Sequence, residues 1–352
     1  MVLFRMLRRL EGPQTMGSGP VFWGGFAVVV VAALVYPLFV DGYDVGNNIY
    51  FLNWTFMALG LSLIWGYSGA LSFGQTAFFG IAGYSYGILT INFGTAFGFG
   101  IASVLIAVLI AALFAAILGY FLFFGRISGI FLGIVTLSVT LALERFMAQT
   151  AGPEWRIGSA RLNGFNGMSG MPPLTVPWFG GEVSLYPDIA LYYVVLGLLA
   201  IVYLGLRILV NSRFGNVLVA LRENPQRAEM LGYDIRKYQL GGFVIGSALA
   251  GLSGVLYTSW GQYITPSSMG LTAAALPIIW VAVGGRSDLT ATLLGTLVVL
   301  SAFQALTIYG SQYALVVMGL LLVCTVLLAP KGLIANAGIW IASLLNRQKG
   351  SN

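Results

Sequence analysis

Charge is almost excluded from a long stretch of this chain: between residues 21 and 329, one apolar run follows another with only short polar breaks. A run of about 20 apolar residues spans the roughly 30 Å hydrocarbon core of a bilayer. Of the 352 residues 58% are hydrophobic and only 8% are charged, whereas a soluble domain carries about a quarter charged residues. The bilayer is therefore the solvent, and its lack of water forces each segment to satisfy its own backbone polar groups, which selects helices. The sequence predicts an all-α integral membrane protein with about ten transmembrane helices, at 21–40, 49–65, 76–93, 98–124, 128–150, 187–209, 240–260, 272–285, 289–308 and 311–329. The eighth is short and flanked by glycine, so it is the one expected to be broken. The first follows Arg5, Arg8 and Arg9 without a small-residue cleavage site, which reads as a retained span and not a signal peptide.

Ten spans put both termini on one side, and basic residues collect in cytoplasmic loops. On this alternation 14 of the 17 basic residues share the side of the termini, and only Arg145, Arg156 and Arg161 lie opposite. The expected organisation is a cytoplasmic N-terminal segment 1–20, a membrane domain 21–335 and a cytoplasmic tail 336–352. Within the domain, loop 211–239 is cytoplasmic and loop 151–186 is periplasmic. Five spans precede the outer loop and five follow it, so the halves cross the membrane in opposite directions. That is the topology of an inverted repeat with a site near the midplane.

The composition removes several chemistries. There is no histidine and Cys324 is the only cysteine, which excludes internal disulfides, His-based metal sites and Cys–His nucleophile pairs. No carboxylate cluster or Walker A sequence occurs. The chain is expected to be no enzyme, to need no cofactor and to leave any ATP hydrolysis to other subunits. Its net charge of +6 does not point to nucleic acid, because the basic residues belong to membrane topology; lipid is the partner it implies. A secondary transporter coupled to ions usually carries acids or bases in mid-span, and none here lies nearer the centre than Glu144. Glu144 and Arg145 read as a snorkelling pair at the outer interface.

Residues 211–240 form the one strongly charged stretch inside the apolar region. Asn224 can cap a helix, Pro225 suits its first position and Gly232 suits the left-handed residue after its last turn. A short capped helix in a membrane protein's loop is a docking element for a soluble partner; the competing reading is an amphipathic helix resting on headgroups. Elsewhere, polar side chains that the bilayer does not explain cluster at a Gly-rich break: Tyr67, Ser68, Ser72, Gln75 and Thr76, with Thr136 and Ser138 in mid-span. They are candidates to line a passage, since irregular backbone at membrane depth borders cavities. Alternatively their hydroxyls bond back to their own helices.

The block Trp65-Gly-Tyr-Ser-Gly-Ala-Leu-Ser-Phe-Gly-Gln-Thr-Ala-Phe-Phe-Gly-Ile-Ala-Gly-Tyr84 resembles the signature segment of the branched-chain amino acid permeases of ABC importers, of the M type. Further blocks match in order: Arg126 to Leu137, Leu221 to Gly232, Phe243 to Gly254, Val281 to Gly285 and Ala329 to Leu333. The resemblance covers roughly 50–335 and lapses in the outer loop between Trp155 and Trp178. The urea and short-amide permeases share nearly all these blocks. The resemblance implies a permease subunit of an ATP-driven importer of branched-chain or related hydrophobic amino acids, or of urea or short amides, in a bacterial inner membrane. Implied partners are a second homologous permease, two cytoplasmic ABC ATPases and a periplasmic or lipid-anchored solute-binding protein. Residues 224–232 would then be the coupling helix, with Ala228, Leu231 and Gly232 at the ATPase groove. Ala228 and Gly232 would form a small close-packing face, ringed by Arg222, Glu223, Arg227 and Glu229.

Overall fold

The structure is a computed structural model that describes residues 10–94, 97–178 and 181–338. Arg5, Arg8, Arg9 and residues 339–352 of the expected tail lie outside the described residues. The chain is mostly helical: α1 (Gly19–Val35), α2 (Gly42–Leu61), α3 (Gln75–Phe93), α4 (Phe99–Phe124), α5 (Ile130–Gln149), α6 (Ile189–Val210), the short α7 (Arg213–Glu223) and α8 (Pro225–Met230), α9 (Ile235–Gly261), α10 (Leu271–Gly284) and α11 (Leu289–Leu328). Among the described residues seven helices are long and apolar enough to cross a membrane, and two shorter apolar ones are Leu271–Gly284 and Gln312–Leu328. Gly310, with φ −170° and ψ 71°, divides α11 where two spans were expected. The 19-residue α3 is not among the seven, because Gln75, Thr76, Ser85, Thr90 and Asn92 dilute its apolar content.

Two helices make the centre. α9 packs along α2, α3 and α4, and Gly60 of α2 meets Gly246 of α9 so closely that a side chain on either would strike the other's carbonyl oxygen. Small residues of this kind let helices approach where lipid supplies no hydrophobic drive. On α4 the periodicity is explicit. Ser103, Ala107, Ala111, Ala115 and Gly119 are buried at four-residue spacing, while Leu105, Leu109, Leu113 and Ile117 on the opposite side are exposed to the position of lipid. The expected break in the eighth span is not seen: α10 runs unbroken through Pro277. Its second half is buried from Pro277 to Gly284, so neighbouring helices hold it straight.

The connections sort to two ends. One end gathers residues 10–18, 62–74, 125–129, 211–234, 285–288 and 329–335. The other gathers 97–98, 150–178, 181–188 and 262–270, and here the fold departs from all-α. The outer loop carries short antiparallel pairs: β1 (Arg156–Ile157) with β2 (Ala160–Arg161), and β4 (Leu174–Trp178) with β5 (Gly181–Leu185). β3 (Met168–Ser169) pairs with β6 (Tyr263–Ile264), which fastens this loop to the α9–α10 connection. At the same end Asn92 Nδ2 donates to Ile157 O (2.9 Å), and Arg145 pairs with Glu144 at 3.5 Å.

Candidate functional site

At the first end α2 widens into a π-helical turn over Ser62–Tyr67. From Ser68 to Gly74 the backbone is not helical, and α3 starts at Gln75. Gly66 explains the site of the break: the Arg286 backbone lies so close that any side chain there would collide with its carbonyl oxygen. Ser62 Oγ donates to that same carbonyl at 2.9 Å, and the Arg286 guanidinium sits 5.2 Å from the Trp65 ring. Gly69 turns the chain at φ +76°, a conformation that glycine adopts without strain. The segment then runs beside α5, where Phe73 N–H donates to Thr136 Oγ1 (3.1 Å) and Thr140 Oγ1 donates to Phe73 O (3.3 Å). Non-helical backbone among membrane helices needs partners of this sort.

The polar residues predicted at the break divide into two groups. Ser68 Oγ donates to Ile64 O (2.6 Å), Ser138 Oγ to Ile134 O (2.9 Å) and Thr136 Oγ1 to Leu132 O (2.9 Å). Ser72 Oγ accepts from Gly74 N–H at 3.1 Å. These side chains hold backbone, as the simpler reading of them expected. Gln75 and Thr76 differ: both are buried, and none of their side-chain polar atoms has a partner. Asn53 on α2 and Ser247 on α9 are buried without side-chain partners too, and neither was picked out from the sequence. Farther along α3 and α9 the Tyr86 and Ser259 hydroxyls lie towards each other, and the Thr258 hydroxyl is buried and unpartnered. A buried polar group without a hydrogen bond costs about 1–3 kcal/mol, which makes these side chains the candidates for hydrogen bonding to water or solute within the bundle.

The charged loop folds as its local signals require. Asn224 Oδ1 accepts from Arg227 N–H at 2.9 Å, Pro225 begins α8, and Gly232 follows it at φ +86°. The outward face is not the expected one. Ala228 is buried against Val217 and Leu221 of α7, so Ala228 serves the loop's own core. Met230 and Leu231 protrude instead, 86% and 77% exposed. Of the expected rim charges, Arg222 and Glu223 pair at 2.6 Å, while Arg227 and Glu229 form no ion pair among the described residues. Arg222 does more than ring a surface. Its Nη1 donates to Gly66 O, within the π turn, and to Ser287 Oγ (3.3 Å). One guanidinium thus joins the exposed loop, the break in α2 and the turn before α11.

A strap formed by residues 10–18 closes this end. Arg207 of α6, fully buried, donates to Leu10 O from Nε (3.0 Å) and Nη2 (2.8 Å), and to Gly17 O from Nη2 (2.7 Å). Nη1 donates to Tyr203 Oη at 2.9 Å, and the Phe22 ring covers the guanidinium at 4.6 Å. A buried charge is tolerable when its donors are met in this way. Tyr67 Oη donates to Gln14 O (2.9 Å), Asn211 Oδ1 accepts from Gln14 N–H (3.0 Å), and Asp288 accepts from Met16 N–H. Burial raises the Asp288 carboxyl above its ordinary value, against the Ala291 and Met16 N–H groups and the Arg207 charge, which lower it. The strap therefore touches the break, the docking loop and the turn before α11 together.

Membrane-length helices around an apolar core that carries a minority of buried polar side chains, with a capped loop helix fastened to a helix break, describe a polytopic membrane protein. A family model described as branched-chain amino acid transport system / permease component matches residues 48–326. The chain belongs to that family. It is 26% identical over 331 residues to the high-affinity branched-chain amino acid transport system permease protein LivM of Escherichia coli, covering 87% of this chain and 73% of that one. It is 30% identical over 157 residues to a probable branched-chain amino acid transport permease protein LivM of Methanocaldococcus jannaschii, covering 44% of each chain. A probable LivH permease protein of the same archaeon is 28% identical over 165 residues, covering 43% of this chain and 50% of that one. No solved structure matches the chain.

Proposed function

We propose that this chain is a transmembrane permease subunit of an ATP-driven importer that takes up branched-chain or related hydrophobic amino acids across a bacterial inner membrane. The membrane domain is 21–335, read as ten spans in two halves of inverted direction, with residues 336–352 as a tail; both termini and the 211–239 loop are cytoplasmic. The partners are a second homologous permease, two ATPase subunits at the loop and an external binding protein at the 151–186 side. Arg222, Glu223, Asn224, Pro225, Arg227, Ala228, Glu229, Leu231 and Gly232 form the coupling element. Within it Met230 and Leu231 reach the ATPase, while Ala228 and Asn224 hold the helix that presents them.

The observation that carries this reading is the link from Arg222 to Gly66 O and Ser287 Oγ. A loop gripped by an ATPase can move the membrane passage only if it is attached to the part that opens. Here the attachment is at the one break in helical backbone between α2 and α3. Gln75 and Thr76 open the passage side, and Asn53 and Ser247 continue the set of unpartnered polar atoms. Tyr67, Ser68, Ser72 and Thr136 set the shape of the break. The absence of ionisable groups along this row leaves hydrogen bonding and width to discriminate.

Uptake of labelled leucine and labelled urea into vesicles holding the full set of subunits tests the proposal. Leucine uptake that requires ATP supports it. Uptake of urea in place of leucine would transfer the same machinery to an amide, and uptake at full rate without ATP would overturn the importer.

A further inference from the structure

We infer that a cavity at the 150–188 end of the bundle is a binding station for the solute, which receives an aliphatic amino acid with its side chain inward. The inference rests on the transport reading above and adds to it a place and a chemical preference. The cavity has a volume of about 260 Å³, below the roughly 300–1,000 Å³ of pockets that hold drug-sized ligands, and so matches something of amino-acid size.

Its lining changes character along its depth. The turn at Pro266–Met269, beside the outer loop, supplies the hydroxyls of Thr265, Ser267 and Ser268, and Thr265 and Ser267 lie 2.8 Å apart. Aromatic rings, among them Tyr50, Trp54, Tyr257 and Trp280, form most of the rest, with Ala273, Leu276 and Leu300. The Trp54 ring centroid is 5.4 Å from that of Tyr257 and 5.5 Å from that of Trp280. Trp54 Nε1–H makes no hydrogen bond of ordinary length but lies towards the Tyr50 hydroxyl in the same wall, whereas the nearby Trp260 Nε1–H donates to Gly46 O at 2.7 Å. One indole is tied to the backbone of α2, and the other belongs, with Tyr50, to the cavity wall.

No acidic or basic residue lines the cavity. A lysine or glutamate side chain would lose its water there without gaining an ion partner, which is strongly unfavourable. Urea would cover little of the aromatic wall. A branched aliphatic side chain fills it at no polar cost, while the ammonium and carboxylate stay at the hydroxyl-bearing mouth. Asn53 and Thr258, both buried and unpartnered, lie on the same turns of α2 and α9 as the wall residues Trp54 and Tyr257.

The test uses the full chain in lipid nanodiscs with its free cysteine removed (Cys324→Ser) and a thiol placed at the mouth (Ser268→Cys). The rate of labelling by a small thiosulfonate reagent is followed as L-leucine or urea is added. A ligand that covers the thiol slows labelling saturably, by about fivefold at four times its Kd. The expected result is saturable protection by L-leucine and L-isoleucine, none by urea at equal concentration, and none by L-leucine once Ala273→Phe, or Ala273→Leu if the ring prevents folding, fills the cavity. A Ser169→Cys thiol on the outer loop should react at one rate throughout. Absence of protection by leucine, equal protection by urea, or protection that survives the filled cavity would overturn the inference. ATP-dependent leucine uptake into vesicles holding the full set of subunits would then still stand, so the two readings fail separately.

Discussion

Arg222→Ala should separate ATPase docking from solute movement. The guanidinium's Nη1 donates to Gly66 O and Ser287 Oγ, while Nε and Nη2 hold Glu223. A hydrogen bond from a charged donor contributes about 1.5–3 kcal/mol. The Arg222 side chain is 25% exposed, which places the loss near the lower end, about 1.5 kcal/mol, or roughly tenfold in an equilibrium. If the link carries the coupling, solute-stimulated ATP hydrolysis and uptake should each fall by about tenfold. Affinity of the purified ATPase for the permease should change little, because only the pairing with exposed Glu223 is lost on the loop surface and the other contacts face the permease interior. Arg222→Lys keeps the charge but not the fork of donors, and should fall between. Glu223→Gln removes an ion pair whose carboxylate side is 68% exposed, worth about 0–1 kcal/mol, and should cost at most a few-fold. The assay is hydrolysis with and without solute-loaded binding protein, beside a pull-down titration of the ATPase. Undiminished stimulation in Arg222→Ala, or a loss fully explained by failed ATPase binding, would refute the reasoning.

Met230→Asp with Leu231→Asp should abolish ATPase binding in the same titration while the chain stays folded in the membrane, since both side chains are exposed and unpartnered; Ala228→Arg should instead unfold the loop, seen as faster proteolysis between 211 and 234. Gly66→Ala places a side chain against the Arg286 carbonyl and should lower the thermal unfolding midpoint by more than Gly24→Ala, where nothing lies nearby. Because burial raises the Asp288 carboxyl, the folded chain holds that proton more tightly than the unfolded chain. The resulting stability is present below the ordinary value, about pH 4, and is lost as pH rises through the raised one; Asp288→Asn should flatten that part of a thermal-unfolding pH profile. Thiols placed at Gln226 and Ser169 in Cys324→Ser should react with an impermeant maleimide from opposite sides of the membrane, and labelling of both from outside would contradict the topology.

What could be read from the sequence was what short-range chemistry decides. The cap at Asn224, the first-turn Pro225 and the left-handed Gly232 depend on neighbours three to eight residues away, and all three are seen. The apolar runs likewise gave helix positions, including α3, whose apolar content is marginal. The direction of Ala228 could not be read, because it depends on how α8 packs on Val217 and Leu221 of α7. Hydroxyls were ambiguous for a similar reason: Thr136 looks the same in sequence whether it lines a passage or accepts the Phe73 N–H. Arg207 counted as one more positive charge at a helix end, yet its partners Leu10 and Gly17 lie 197 and 190 residues away. Asn53 did offer a signal, an amide inside an apolar run, and its unpartnered state is what makes it a candidate.

The central claim, that the docking loop works the break in α2 through Arg222, is tested most directly by the reactivity of the break itself. Ala70 lies in the non-helical segment and shares a cavity of about 180 Å³ with Arg222 and Pro225. With Ala70→Cys in the Cys324→Ser chain and the ATPase subunits bound, labelling by a small thiol reagent is compared without nucleotide and with ATP held unhydrolysed. The account predicts a clear change of rate with ATP, and loss of that change in Arg222→Ala while the ATPase remains bound. An equal response to ATP with and without Arg222 would contradict it.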